Sequence, residues 1–393
     1  MISSEVWALF VFGCRKIQIS MLIVRSVTKE KRTVISPRIP ILCKNYEYST
    51  MNRYHLLLLL AFVSFTSFSQ SLSDPIEDYI NAGIKYHDAQ QYDKAIAEYE
   101  KALKIDSKHQ LANYEMGLTY FHKGHFDKAA DYASVAIKTG GENTIPAYIL
   151  KGSALDNGGK TAESIKMFKK AIKKTDGHHL LHYNLALNYY KIGDRGLCEE
   201  QLIAAIDMNP SHRTSHLLLG LVHDEMGDKV QTVLALCFFL YLEDDSERSK
   251  MAVETLETAM GSNVERDEDN PNSIQINLSG DMDSEFMSAE LMLGLLSASR
   301  YTEENEDKSD AEIFQENLTS FFKMMGEMKE DGAKGIWWNL YTDTFYALAQ
   351  SEHMEAYCHV IRQANNKESV EWLEDNDDAE KALDEWFKEV FAD

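Results

Sequence analysis

Three histidines are the clearest candidates for metal chemistry in the sequence. His212, His216 and His223 are spaced by four and then seven residues, which places them on one side of a helix. Two histidines at a helical spacing of four can bind zinc. A zinc protease needs a Glu directly after the first histidine, but Arg213 stands there. His216 and His223 also fall at helix-packing positions, so we expect structural histidines and no metal site.

The other candidate sites are weaker. His178, His179 and His182 surround a predicted helix start. Asp281, Asp283 and Glu285 match part of a calcium-binding loop, but the central Gly and distal Glu that such a loop needs are missing. The sequence has no Gly-rich phosphate loop, nucleophile elbow or zinc-finger spacing. We therefore expect no cofactor and no catalytic activity.

An aromatic stretch in the last third leaves open a catalytic or carbohydrate-binding function. Trp337 and Trp338 are neighbours in a segment rich in aromatic residues. A cleft that joined Trp338 to Asp343 and Glu352 would favour an enzyme or a carbohydrate-binding protein with its activity in the last third. Aromatic residues at this density more often fill a core. We therefore predict that they build the core of a small helical domain.

The protein is acidic, and the acidity lies in its last third. The chain of 393 residues has a formal net charge of −23. Residues 247–393 contain 12 Lys/Arg and 35 Asp/Glu, a balance of −23 that equals the net charge of the whole chain. Binding to nucleic acid depends on positive charge, so we expect no nucleic-acid partner. The acidic surface indicates either solubility or contact with a basic partner.

A secretion signal is predicted within the chain. Met51 is followed by a short polar start and an apolar core from Leu56 to about Phe65. Ser67 and Ser69 are small residues suited to cleavage. The apolar run is shorter than the roughly 20 residues that a membrane-spanning helix needs. We expect an exported protein, periplasmic or secreted, whose mature chain has no transmembrane span.

Residues 1–50 do not fit in front of such a signal. They mix short apolar pieces with eight Lys/Arg and three Asp/Glu and show no lasting periodicity. We expect translation to start at Met51 and residues 1–50 to be upstream sequence. The alternative is that the apolar run forms a buried internal helix.

The strongest pattern in the sequence is a repeat of about 34 residues. Spacings of 34, 35, 34 and 34 separate the small residues Gly83, Gly117, Gly152, Ala186 and Gly220. Twelve positions after each of these stand Ala95, Ala129, Ser164, Cys198 and Thr232. A bulky or apolar residue follows four positions later, at Tyr99, Ala133, Phe168, Leu202 and Leu236. This period predicts five helix pairs, because one pair cannot bury its apolar face without a neighbour.

The pattern resembles the tetratricopeptide repeat (TPR) family, in which L-G-x2-Y is followed by A-x3-F, then A and P. The clearest copy spans 82–107, where Gly83, Tyr86, Ala95 and Tyr99 are in register. The resemblance covers about 170 residues and implies an all-α solenoid of five repeats. The first aromatic position of the family departs from Trp and is taken by Tyr79, Asn113, Tyr148, His182 and His216.

The expected organisation is a signal peptide at 51–69, a TPR domain at 70–246 and a smaller, mostly helical C-terminal domain. The repeats span about 76–109, 110–144, 145–178, 179–212 and 213–246. A capping helix at 247–260, a linker at 261–284 and an acidic helical domain at 285–393 follow. Within the linker, Ile274, Ile276 and Leu278 alternate with polar residues and predict one short strand.

The TPR resemblance implies a ligand groove on the first helices of the repeats. Carried onto this sequence, the predicted groove consists of Ile80, Ile84, His87, Tyr114, Leu118, Phe121, Tyr183, Leu187, Tyr190, Lys191, Leu217 and Leu221. The same face also includes Leu111, His122, Ile149, Ser153, Asp156 and Asp224. The Lys/Asn/Arg cluster of chaperone-binding members is not found. An apolar groove suits an amphipathic helix or an extended apolar peptide, so we expect an interaction scaffold.

The chain also carries a candidate ligand of its own. Residues 378–392 form an amphipathic pattern, with Ala382, Trp386, Phe387 and Val390 on one side. We predict a helix that docks either in the groove or against the last repeats. Further helices are predicted at roughly 285–300, 310–330, 335–350 and 353–365.

Overall fold

The structure, a computed structural model, describes residues 74–261, 264–266, 274–276, 285–302 and 305–391. Ten helices follow one another as five pairs between residues 75 and 242. The first helices of the pairs are α1 (Pro75–Asp88), α3 (Gln110–His122), α5 (Thr144–Asn157), α7 (His179–Ile192) and α9 (Arg213–Met226). The second helices are α2 (Tyr92–Ile105), α4 (Phe126–Thr139), α6 (Thr161–Lys174), α8 (Arg195–Met208) and α10 (Lys229–Leu242).

The helices of a pair touch where the repeated glycines lie. A Cβ atom added to Gly83 would lie 2.3 Å from Cε1 of Tyr99, whose side chain is fully buried. At Gly152 the added atom would lie 2.1 Å from Cζ of Phe168. No side chain fits at such distances. The glycine therefore lets the two helices of the pair approach closely at both places.

Tight turns that contain glycine join the helices within the second to fifth pairs. Gly193 and Gly227 end α7 and α9 with φ of 81° and 85°, a left-handed conformation that glycine adopts without steric cost. Directly after Gly193, Oδ1 of Asp194 accepts a hydrogen bond of 3.1 Å from the amide of Leu197 and so caps α8.

Beyond the pairs, α11 (Glu247–Gly261) packs on α10. Two antiparallel strands follow, β1 (Val264–Arg266) and β2 (Ile274–Ile276). The remaining elements are α12 (Met287–Ala298), a 3-10 turn (Ser299–Tyr301), α13 (Asp310–Met328), a π-helical segment (Trp337–Thr342), α14 (Asp343–Ala349), α15 (Met354–Arg362), α16 (Lys367–Asp375) and α17 (Asp377–Val390).

These elements confirm the predicted fold class, an all-α repeat solenoid followed by a smaller, mostly helical region. The strand predicted around Ile274 and Ile276 is present, while Leu278 lies outside the described residues. Two elements, β1 and α16, were not predicted. Among the described residues, no helix is long and apolar enough to cross a lipid bilayer.

Helix α10, the second helix of the fifth pair, differs from the other second helices because it is buried on all sides. Val230 and every residue from Thr232 to Leu240 are buried. Its outer side is covered by the C-terminal helices: the ring of Phe238 lies 5.5 Å from that of Tyr341, and the hydroxyl of Tyr357 donates a 2.9 Å hydrogen bond to the carbonyl of Cys237. The fifth pair and the C-terminal helices therefore share one core.

The amphipathic C-terminal helix docks on the same helix. In α17 the ring of Phe387 stacks on Tyr241 of α10 at 3.7 Å. Leu383 and Phe387 are its buried residues, whereas Val390 is 36% exposed. Of the two predicted positions, the one against the last repeats is found. The predicted apolar side was partly wrong, because it omitted Leu383 and included Val390.

Candidate protein-binding surface

The twelve predicted groove residues lie on the first helices α1, α3, α7 and α9. Seven are buried, namely Ile80, His87, Tyr114, Tyr183, Leu187, Leu217 and Leu221. Those that keep an accessible side chain are Ile84, Leu118, Phe121 and Tyr190, which are half-buried, and Lys191, which is exposed. The predicted face is therefore divided between packing positions and accessible positions.

The buried members hold neighbouring pairs together. Ile80 belongs to a core cluster with Tyr99 of its own pair and Met116 of the next pair. Tyr114 belongs to a cluster that includes Ala147 of the third pair. Because each cluster crosses from one pair to the next, these side chains stabilise the stacking of the array.

Five half-buried apolar side chains lie on three consecutive first helices. Ile84 and Leu118 occupy equivalent positions in the first and second pairs, 34 residues apart. Phe121 lies one helical turn after Leu118, and Leu111 and Ile149 add half-buried side chains on α3 and α5. We call these five residues the apolar strip. It combines three half-buried residues of the predicted groove with two more from the same predicted face.

His87 links the first two pairs and is not an accessible contact. Its side chain is 1% exposed, and its Nδ1 is hydrogen-bonded to Oγ1 of Thr119 at 2.6 Å. The ring also meets those of Tyr92 and His122 edge-on, at 5.3 Å and 5.0 Å. This buried hydrogen bond fixes α1 against α3.

A buried carboxylate marks the end of the apolar strip on α5. Asp156 is 5% exposed and accepts hydrogen bonds from Nζ of Lys191 at 2.9 Å and from Oγ1 of Thr161 at 2.6 Å. The pair compensates the buried charge and connects α5 to α7. The one charged residue among the twelve predicted positions is thus already engaged in an ion pair.

A second polar network continues along the first helices. The hydroxyl of Tyr190 donates a 2.6 Å hydrogen bond to Glu225, and Nη2 of Arg195 lies 2.6 Å from the same carboxylate. The Arg195 guanidinium also lies 4.2 Å from the centroid of the Tyr190 ring. Burial, followed by the hydrogen bond to Glu225, raises the pKa of Tyr190 well above its usual range, so the phenol remains protonated.

Several of the candidate histidines gather between the fourth and fifth pairs. The ring of His179 lies 4.5 Å from that of His178 and 5.1 Å from that of His212. Burial lowers the pKa of His179 to about 4 and that of His212 to about 3. Among the residues that the structure describes, no group of three or more His, Cys, Asp or Glu side chains is arranged to hold a metal ion.

His216 points into the core that the fifth pair shares with the C-terminal helices. Its Nδ1 is hydrogen-bonded to the hydroxyl of Tyr341 at 2.6 Å, and its Nε2 lies 2.8 Å from the carbonyl oxygen of Pro210. The ring stacks on Phe238 at 4.5 Å. Complete burial lowers the pKa of His216 to about 4, although the contact with Pro210 opposes that shift.

His223 is held between two carboxylates. Its Nδ1 lies 3.0 Å from Asp228 and its Nε2 lies 3.3 Å from Glu199. Burial alone would lower the pKa of His223, but the hydrogen bonds to Asp228 and Glu199 raise it. The ring also meets the edge of Trp337 at 4.9 Å. His212, directly before α9, and His216 and His223 within it therefore have separate structural partners.

Trp338 of the aromatic stretch is packed in the core. Trp338 is 5% exposed, stacks on Phe286 at 5.2 Å and donates a 3.1 Å hydrogen bond from Nε1 to Glu285. Asp343 is paired with Lys329 at 2.8 Å. A filled aromatic core removes the main support for a carbohydrate-binding or enzymatic site in the last third.

One capping contact of the fifth pair was not predicted from the sequence. Asp228 occupies the position at which Asp194 caps the preceding second helix, but its carboxylate is engaged by His223. The amide of Val230 instead donates a 2.9 Å hydrogen bond to Glu290 of α12, a carboxylate whose pKa burial raises. The sequence feature that could have indicated packing of α12 against α10 is the lack of a polar face in residues 229–242.

Comparisons with known families match two parts of the repeat array. Residues 83–124 match the family described as TPR repeat. Residues 145–173 match the family described as Tetratricopeptide repeat. Both matches lie within the paired helices α1–α6.

Two curated proteins are similar over part of the chain. Tetratricopeptide repeat protein 6 of Homo sapiens is 30% identical over 89 residues, which are 23% of this chain and 16% of that protein. Protein CTR9 homolog of Arabidopsis thaliana is 22% identical over 142 residues, 36% of this chain and 13% of that protein. The chain thus spans less than a fifth of either relative.

Solved structures of other repeat proteins are similar to this chain over slightly less than half of its length. YrrB, described as a TPR protein with an unusual peptide-binding site, is 19% identical with a TM-score of 0.35, and the match covers 48% of this chain and 97% of YrrB. TTC0263, a thermophilic TPR protein of Thermus thermophilus, is 17% identical with a TM-score of 0.39, covering 46% and 99%.

Proposed function

Because the chain is a tetratricopeptide repeat protein, we propose that it is a non-enzymatic scaffold of the cell envelope that holds a peptide or helix of another protein on its first helices. The observation that carries this proposal is the apolar strip. Its five side chains remain half-buried on three consecutive first helices. Contiguous accessible apolar surface is a common feature of protein-binding sites.

The second helices offer a contrasting surface. On α2 the exposed side carries Lys101, paired with Glu98 at 2.7 Å, and Lys94, bonded to Gln91. Such a charged surface is well hydrated and gives an apolar partner little to bury. An amphipathic helix or an extended apolar peptide therefore fits the apolar strip better than the outer side of the array.

Export is a separate proposal, motivated by the signal pattern of residues 51–69, which lie outside the described residues. The N-terminal sequence of the protein purified from its native source provides the test. A chain that begins at Gln70 supports export. A chain that retains peptides from residues 1–50 overturns both the signal and the proposed start at Met51.

Site-specific photo-crosslinking tests the binding surface. A photoreactive phenylalanine analogue is placed at Leu118 in the apolar strip and, as a matched control, at Ile105, which is 57% exposed at the end of α2. In an extract of the native source, we expect a discrete adduct from position 118 and none from 105. Equal adducts from both positions would count against a defined surface.

A charge substitution then measures the contribution of the strip. Leu118→Asp combined with Ile84→Asp is expected to weaken binding of a peptide from the captured partner by more than tenfold, because it removes apolar contact and buries charge. Ile105→Asp is the control. Unchanged affinity in the double variant, with helicity preserved, would exclude the strip as the binding surface.

A further inference from the structure

A cavity of about 200 Å³ lies between α11, α12, α13 and α15, on elements that do not carry the apolar strip. One part of its wall is apolar and includes Leu293, Leu296, Ile313 and Phe314. Cavities for drug-sized ligands usually measure roughly 300–1,000 Å³. This cavity therefore suits a small metabolite.

A buried guanidinium also lines the cavity. Arg362 is 8% exposed, and its Nε and Nη2 lie 3.1 Å and 3.0 Å from the same oxygen, Oε1 of Glu257. Its guanidinium also lies 4.6 Å from the centroid of the Phe314 ring. These two contacts use two of the five N–H donors of an arginine. The Nη1 end of a fixed, desolvated guanidinium can therefore bind an anionic group of a ligand.

Charges of both signs line the cavity. Arg300 adds a second guanidinium, and Asp310, at the start of α13, adds a second carboxylate to that of Glu257. A ligand with only an anionic group would gain from the two arginines but would also face the two carboxylates. A ligand that carries both a carboxylate and an ammonium group complements both pairs.

We propose that this cavity binds a free α-amino acid with an apolar side chain. The carboxylate accepts hydrogen bonds from Arg362 and Arg300. The ammonium group donates to Asp310 and Glu257. The side chain packs on the apolar wall formed by residues such as Leu293 and Phe314. This binding site is additional to the protein-binding surface and does not depend on it.

Calorimetry and thermal unfolding of the full chain test this proposal with L-leucine, L-valine, L-methionine and L-phenylalanine as probes. At least one is expected to bind with a Kd of about 1 mM or tighter and to raise the unfolding temperature. Leucinamide, which lacks the carboxylate, and 4-methylpentanoate, which lacks the amine, are expected to bind at least tenfold more weakly. If no probe binds, or if both analogues bind as well as the amino acid, the proposal is wrong.

Variants locate the binding to the cavity. Ser297→Leu fills the cavity from α12, where Ser297 is 6% exposed, and is expected to abolish binding. Ser288→Leu, at an exposed position of the same helix, is the matched control. Arg300→Gln changes an exposed residue, keeps the core intact, and is expected to weaken binding at least tenfold. Unchanged binding in Arg300→Gln and Ser297→Leu would place the amino acid elsewhere and overturn the proposal.

Discussion

The second helices α8 and α10 occupy the same place in successive repeats but face different surroundings. On α8 the buried residues are Cys198, Leu202, Ala205 and Ile206, and they lie on one side. On α10 almost every residue between 230 and 240 is buried. The repeat geometry requires only one apolar side of a second helix. The residue types on the other side can vary, and they determine whether that side is exposed to solvent or packs against another part of the chain.

The difference makes the fifth pair dependent on the C-terminal helices. Phe238 contacts Tyr341 at 5.5 Å, Phe345 at 6.2 Å and Phe391 at 5.7 Å between ring centroids. In α8 the position 34 residues earlier is Ala204, which is half-buried. A single position of the repeat thus carries a core aromatic residue in one copy and a small residue in another.

The largest expected effect comes from removing that aromatic residue. Phe238→Ala should lower the free energy of unfolding by about 3–5 kcal/mol, because it deletes a large side chain from a packed core. Urea unfolding of the full chain measures the loss. Ala204→Ser is the matched control and should change stability by less than about 0.5 kcal/mol. Similar losses in both variants would show that the two second helices are not different.

A pH dependence should come from His216. Its pKa in the folded protein is about 4, below the value of about 6.5 in an unfolded chain. Folding therefore favours the neutral ring, so this contribution to stability is present above about pH 6.5 and is lost as pH falls toward 4. Its size is about 3 kcal/mol by linkage.

The contribution is measured by comparing His216→Gln with the unmodified chain. Urea unfolding at pH 7 should show the variant as less stable, and the gap should close or reverse at pH 4.5. His182→Gln, at the equivalent position of the fourth pair, serves as the comparison. A gap that stays constant between the two pH values would mean that His216 does not titrate with folding.

The smallest expected effect on stability concerns the close contact between the two helices of a pair. Gly83→Ala should destabilise the protein by about 1–3 kcal/mol, because the added methyl group would overlap the ring of Tyr99. Gly196→Ala in α8 is the control: nothing lies within 4 Å of its added Cβ. We expect this control to raise stability by up to about 1 kcal/mol. Loss of stability in both variants would exclude close helix contact as the cause.

The sequence predicted the pairs because their contacts are local. Gly83 and Tyr99 are only sixteen residues apart, and the same spacing recurs in each copy. The residue types at this fixed spacing therefore predict the contact between the two helices of a pair. The predicted groove was less specific, because seven of its twelve residues, such as Ile80 and Leu217, are buried. Periodicity assigns a residue to a helix face but does not show how much of that face the next repeat covers.

The C-terminal part was predicted less well because its contacts are distant in sequence. The aromatic stretch was expected to build the core of a small helical domain; its residues are buried in a core, but that core also includes residues of the fifth pair. Tyr341 is hydrogen-bonded to His216, 125 residues earlier, and Phe345 packs on Phe238. Nothing in the spacing of either segment identifies the other. The useful signal was the unbroken apolar run in α10, which needed a partner on its outer side.

This arrangement also has a consequence for the order of events during synthesis. The first four pairs need only their neighbours, so each can fold soon after it leaves the ribosome. Helix α10 must wait for partners as distant as Phe391, about 150 residues later, which at roughly 5–20 residues per second takes on the order of 8–30 s. For that interval the outer side of a mostly apolar helix is uncovered. The nascent chain should therefore be a client for chaperones that bind unfolded apolar segments, and the finished protein should not.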